Sequence, residues 1–96
     1  MNEKALTQST KIFKVLSHPV RLKLLVHMAN CKDKSHKHNI SELGSDCSLD
    51  FSVVSRHLKA LKEAGLIKAT RHKNDVIYEM DRPFLKKFIA SLSETF

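Results

Sequence analysis

Three observations predict a mainly α-helical protein with one small β-hairpin in this 96-residue chain. Apolar residues recur at helical spacing over most of its length. One stretch, roughly residues 67–80, alternates instead. Pro19 and Gly65 stand where helices begin and end. A chain this short buries only a modest share of its unfolded surface, so one compact domain spanning residues 1–96 is expected, with dimerisation as a natural remedy for a marginal core.

The first helix is predicted over about residues 3–16, where Ile12 and Leu16 lie four apart and Leu6 and Phe13 seven apart. "LSHP" interrupts it, because the residue before Pro19 is pushed out of helical geometry. Pro19 suits the first position of the next helix, where its missing N–H is not needed, and Leu22, Leu25, Val26 and Ala29 form that helix's apolar stripe. "NCKDKSHKHN" carries no apolar residue except its cysteine and reads as an exposed loop. "ISELGSD" reads as a short helix capped by Ser41 and limited by Gly44 and the polar residues after it.

A longer helix follows, with Asp50 as its N-cap and Gly65 as its left-handed C-terminal residue, Leu66 folding back on Leu61. Phe51, Val54, Leu58 and Leu61 share one face of it, and Ser52, Ser55, Arg56 and Lys59 share the other. "LIKATR" and "VIYEM" then read as strands joined across "HKND", with Val76, Tyr78 and Met80 on one face and Arg71, His72 and Lys73 at the tip. "DRPFLKKFIASLSETF" returns to helical spacing, and its broad stripe of Phe84, Phe88 and Leu92 beside Leu85, Ile89 and Phe96 asks for a partner surface.

The formal charge of +7 and the sequence pI near 9.7 point to a polyanionic partner. No apolar run is long enough to span a bilayer and the first residues lack a signal peptide's apolar core, so a cytoplasmic protein without membrane association is expected. Two cysteines are too few for a disulfide framework. With two glycines there is no phosphate-cradling loop, and no nucleophile has a base-and-orienter partner, so an enzyme is not expected.

A short helix, a polar turn and a second helix presenting Ser, Arg and Lys at its start make a helix-turn-helix, here about residues 40–64. Such helices enter the major groove by their N-terminal residues; an arginine fork matches the O6 and N7 acceptors of guanine, and short serines allow close approach. The hairpin, about residues 67–80, has the form of a basic wing lying along phosphates.

"KVLSHPVRLKLLVHMA", "SVVSRHLKALKEAGLIKATR" and "VIYEMD" together resemble the ArsR/SmtB family of bacterial winged-helix repressors, over about Lys11 to Asp81. The resemblance implies a winged helix-turn-helix that dimerises through its first and last helices, about residues 3–16 and 83–96. It implies a palindromic DNA operator, released when an effector, often a metal ion, binds. Carried onto this sequence, it places Ser52, Val53, Ser55 and Arg56 on the groove-facing side, His57 beside them, and Arg71 and Lys73 on the wing; Lys59 extends the same basic face. The family's sensing residues do not carry over. "ELGSDC" has Gly44 and Asp46 where a Cys-x-Cys pair would stand, and the last helix holds neither His nor Cys.

Cys31, His36, His38 and Cys47 remain as soft-ligand candidates for zinc, copper(I) or arsenite. Their spacing matches no finger pattern, and Lys32, Lys34 and Lys37 repel a cation, so a solvated loop with one half-buried thiol is the competing reading. A reversible Cys31–Cys47 disulfide is a third, needing close Cα atoms and a lowered thiol pKa. The function expected is a homodimeric, sequence-specific DNA-binding repressor released by a soft metal, metalloid or thiol oxidation. The alternatives are an effector-independent repressor and a metal- or redox-binding adaptor that binds no operator.

Overall fold

Asn2 starts the first helix, α1 (Glu3–Leu16), by accepting the Ala5 N–H at 2.8 Å. The computed structural model describes residues 1–31 and 38–96. His18 is extended (φ −91°, ψ 124°), as the residue before a proline must be, and its Nδ1 accepts the Val20 N–H at 3.2 Å. It thereby caps α2 (Pro19–Ala29), with Pro19 in the first turn. The remaining elements are β1 (His38–Asn39), α3 (Ile40–Asp46), α4 (Phe51–Glu63), β2 (Ile67–His72), β3 (Asp75–Met80) and α5 (Arg82–Thr95).

Two residues of the stretch read as a loop form a strand instead. His38 and Asn39 pair antiparallel with Tyr78 and Ile77, giving a three-stranded sheet in the order β1-β3-β2. Two residues in a polar run leave no alternation to detect, so only the tertiary pairing reveals them. Residues 32–37 of that loop lie outside the described residues. Asn39, not Ser41, caps α3: its side chain accepts the Glu42 N–H at 2.8 Å while its amide donates to Asp75 at 3.2 Å. One asparagine thus ties the start of α3 to the start of β3.

The two helices of the helix-turn-helix end in the same way. After α3, the Leu49 N–H returns to the Gly44 carbonyl at 2.8 Å and the Ser48 N–H to Ser45 at 3.2 Å, with Ser48 left-handed at φ 56°. After α4, Leu66 bonds back to Leu61 at 3.1 Å and Gly65 to Lys62 at 3.0 Å, with Gly65 at φ 85°. Each is a Schellman closure, in which the left-handed residue lets two orphan carbonyls be satisfied. Gly44 does different work. A Cβ there would stand 3.0 Å from the Leu49 carbonyl, a tight approach that would require the backbone of the turn to give by a few tenths of an ångström.

Ile12, Leu24, Leu25, Met28, Leu43, Val54, Leu58, Leu61, Leu66 and Ile67 build the core, with Tyr78, Met80, Phe84 and Phe88 packed against it. On α2 the buried residues are Leu24, Leu25 and Met28; Leu22, Val26 and Ala29 are exposed, against the expected stripe. Apolar residues occupy both sides of this helix, so periodicity alone did not select the inward one. Phe51, expected on the packed face of α4, is 65% exposed at its first position. Asp50 occupies the N-cap position, but its side chain makes no capping hydrogen bond. The hairpin turns through Lys73 and Asn74, with His72 facing Asp75, and Lys73 adopts φ 58°. Asp81 caps α5 by accepting the Phe84 N–H at 3.1 Å. No residue of α5 is fully buried, and Leu6, Phe13, Ile89 and Phe96 on the outer helices are exposed.

The start of α2 is clamped onto α4 by a polar cluster. Arg21 Nε donates to His57 Nδ1 at 3.2 Å, and the His18 and His57 rings lie 4.4 Å apart. His57 is buried, and burial, then the charges of His18, Arg21 and Arg56, push its pKa below the ordinary histidine value. Accepting from Arg21 at Nδ1, the neutral ring carries its proton on Nε2.

Two expectations for stability follow. Ser48→Gly relieves a left-handed serine and stabilises the protein by about 0.5–1 kcal/mol. Gly65→Ala adds strain at φ 85° and a Cβ 3.1 Å from the Phe84 ring, and destabilises it by about 1–3 kcal/mol. Thermal melts at one protein concentration should move in opposite directions for the two variants. Acidification is the second test. The unfolded chain takes up the His57 proton first, so stability falls as pH drops through the ordinary histidine value of about 6.5 and levels off below the folded value. Denaturant midpoints of His57→Gln should show a shallower acid loss than the wild type, and parallel profiles would contradict this assignment.

Candidate nucleic-acid interface

α4 buries Val54, His57, Leu58 and Leu61, at spacings of three and four, against the core. The opposite side of its first turns therefore faces solvent, carrying Ser52, Ser55, Arg56 and Lys59 at the same spacing, all exposed, with Val53 half-buried at the edge. Among the described residues no carboxylate lies within ion-pair distance of Arg56 or Lys59. The stripe is thus cationic, uncommitted to internal contacts, and anchored from behind by wholly buried side chains.

His57 departs from the expected placement. It lies on the packed side of α4, held by Arg21 and His18, and is not presented beside the serines. Its neutral form keeps a fixed acceptor for Arg21 and adds no charge to the helix behind Arg56. Nothing in the sequence marks Arg21, since an arginine on a first helical turn carries no signal of its eventual partner.

Arg71, His72 and Lys73 are exposed at the end of the hairpin formed by β2 and β3. Six facing pairs, from Ile67–Met80 to His72–Asp75, fix its register. β1 supports β3 on its other side, and Asn39 links that sheet to α3. The wing and the helix-turn-helix are therefore mechanically joined. Lys68, nearer the base of β2, reaches Asp81 at 3.9 Å.

Of the residues considered for metal or redox sensing, Cys31, His38 and Cys47 lie within the described residues. Cys47 is buried beneath the turn, and burial pushes its thiol pKa up; Lys23 pulls it down and Asp46 adds to the rise, with burial dominant. The Lys23 ammonium donates to the Cys47 carbonyl at 3.3 Å, and its charge lowers the thiol pKa, yet burial outweighs it. The lowered thiol pKa required for facile oxidation is not found at Cys47. Cys31 is half-buried beyond the end of α2, and no disulfide joins it to Cys47. His36 lies outside the described residues. His38 stands in β1 beside His27 and Asp46, and neither cysteine belongs to that group.

No helix among the described residues is long and apolar enough to cross a membrane. The five helices and antiparallel hairpin of the described residues form a winged helix-turn-helix. Residues 18–69 match the family described as bacterial regulatory protein, arsR family. An HTH-type transcriptional regulator of Mycobacterium tuberculosis is 33% identical over 81 residues, covering 83% of this chain and 67% of its own. The biofilm growth-associated repressor of Xylella fastidiosa is 24% identical over 94 residues, covering 98% of this chain and 78% of its own. Among solved structures, the homodimeric winged helix-turn-helix DNA-binding domain of a possible ArsR-family regulator from Mycobacterium bovis superimposes with a TM-score of 0.75 at 21% identity, covering 99% of this chain and 85% of that one. The chain belongs to the ArsR family of bacterial regulatory proteins, and is a transcriptional regulator rather than an enzyme.

Proposed function

We propose that this regulator is a single-domain repressor that binds a palindromic DNA operator as a homodimer. The first turns of α4 from each protomer enter successive major grooves, and the wing tips lie along the flanking phosphates. The observation that carries this reading is the two-sidedness of α4: Ser52, Ser55, Arg56 and Lys59 face outward while Val54, Leu58 and Leu61 are wholly buried. Arg56 supplies the planar fork for guanine, the serines bond bases or phosphates, and Val53 touches the groove at the helix edge. Lys59, Arg71 and Lys73 supply phosphate contacts, which position the protein without reading sequence. His57 acts from behind, holding α4 to Arg21 at the start of α2.

Dimerisation in this proposal uses α1 and α5. Leu6, Phe13 and Ile89 are exposed on these helices, and Phe13 meets Phe88 edge-on at 5.5 Å across them. The fold-level likeness to a homodimeric domain is in keeping with this. The similarity to a biofilm growth-associated repressor supports repression as the direction of control. Of the effectors considered, thiol oxidation and thiol-bound copper(I) or arsenite suit this chain poorly, because Cys47 is buried with a raised pKa. That observation favours a repressor that answers to a different signal or to none.

Fluorescence-anisotropy titrations on the DNA upstream of the gene, against a scrambled duplex, separate the roles. Arg56→Ala should lose about 1–3 kcal/mol of discrimination at particular base pairs. Lys73→Gly should weaken binding to both duplexes about equally and lower the salt slope by about one. Glycine suits the left-handed backbone at 73, so a loss there reports the missing ammonium and not a damaged hairpin. Two variants that lost only non-specific affinity would overturn the recognition-helix assignment.

A further inference from the structure

His27 on α2, His38 in β1 and Asp46 at the end of α3 come from three separate elements and converge. Each offers one ligand atom, and the three atoms all lie within 4.8 Å of one another. His27 Nε2 and Asp46 Oδ2 are 3.1 Å apart, and the His27 and His38 rings are 5.5 Å apart, inclined at 59°. His38 is 4% exposed, while His27 and Asp46 reach solvent. We propose that His27, His38 and Asp46 form a binding site for a divalent cation of the zinc class, with the remaining position open to water.

The donor set defines the class. Two imidazoles and one carboxylate suit zinc, whose bonds to such atoms are about 2.0–2.2 Å long. Calcium and magnesium ask for six or more oxygen ligands, and copper(I) and arsenite ask for thiolates. Bonds of that length in tetrahedral geometry separate the ligand atoms by about 3.4 Å. The His27–Asp46 distance already meets this, and the widest separation must close by about 1.4 Å. The half-exposed His27 and Asp46 side chains can make that movement. His38 is the fixed point, because its strand pairs with Tyr78.

Without an ion, His27 and Asp46 form a solvent-accessible surface pair, a contact that adds little by itself. What sets this place apart is the buried third ligand from another element. On binding, the cation replaces the proton on His27 Nε2, which moves to Nδ1 or, from imidazolium, leaves to solvent. Asp46 stands where the resembling family has a thiol, but the other two ligands come from outside the helix-turn-helix. The site therefore fastens α3 to α2 and to the sheet that carries the wing.

The inference does not depend on DNA binding, and its test does not use DNA. The tag-free, metal-stripped chain is titrated with zinc by calorimetry and with cobalt(II) by visible absorbance. One ion per chain is expected, with ligand-field bands of low-coordinate cobalt(II) and no sulfur-to-metal charge-transfer band. His27→Gln and Asp46→Asn change solvent-accessible side chains and should leave the circular-dichroism melt near that of the metal-free wild type. Each should weaken zinc binding more than about tenfold, the lower edge of what losing even an outer-shell partner costs. No saturable binding, affinity unchanged by both substitutions, or a charge-transfer band abolished by Cys31→Ala would each overturn the assignment.

Discussion

The burial of Val54, Leu58 and Leu61 along one side of α4 is the constraint from which the interface follows. Fully burying an aliphatic side chain contributes about 1.5–3 kcal/mol. Rotating α4 to turn its basic stripe inward would forfeit that for each of the three and desolvate Arg56 and Lys59 as well. Arg56 and Lys59 have no ion-pair partner among the described residues to offset this, so apolar packing decides the orientation and the charges take the remaining side. His57 sits within the buried stripe and needs a partner there. Arg21 and His18 provide a polar seat, at the cost of a proton the ring no longer readily accepts.

The turn before α4 serves the same orientation. Gly44 lets the Leu49 carbonyl pass close to α3, and Ser48 accepts a left-handed backbone so that two α3 carbonyls are satisfied. These contacts set the angle at which α4 departs. A side chain at 44 would press on the Leu49 carbonyl and require the turn to give by a few tenths of an ångström. Asn39 carries the constraint onward, since one side chain caps α3 and holds Asp75 at the start of β3. The wing and α4 thus share a rigid base, as the proposed two-part reading of a DNA duplex requires.

Much of this was legible in the residues. The serine–arginine–lysine stripe, the hairpin and the Gly65 closure come from periodicity and from the one residue type suited to a left-handed stop. His57 was legible too, because Val54, His57, Leu58 and Leu61 share a buried spacing; its place in a recognisable motif drew attention to the outer face instead. β1 was hidden for a different reason, as a strand of two residues has no period. The exposed side of α2 was ambiguous because both sides are apolar. His27 and Asp46 lie nineteen residues apart and meet only through packing, and no local pattern encodes that meeting.

The proposed nucleic-acid face consists of the first turns of α4 together with the wing tip. An amide-proton NMR titration of the labelled protein with duplex DNA from upstream of its gene tests it most directly. The account predicts the largest shifts at Ser52, Val53, Ser55, Arg56 and Lys59 and at Arg71 to Lys73, with Leu6, Phe13 and Ile89 little changed. Shifts concentrated on α1 and α5, with the exposed stripe of α4 unmoved, would contradict it.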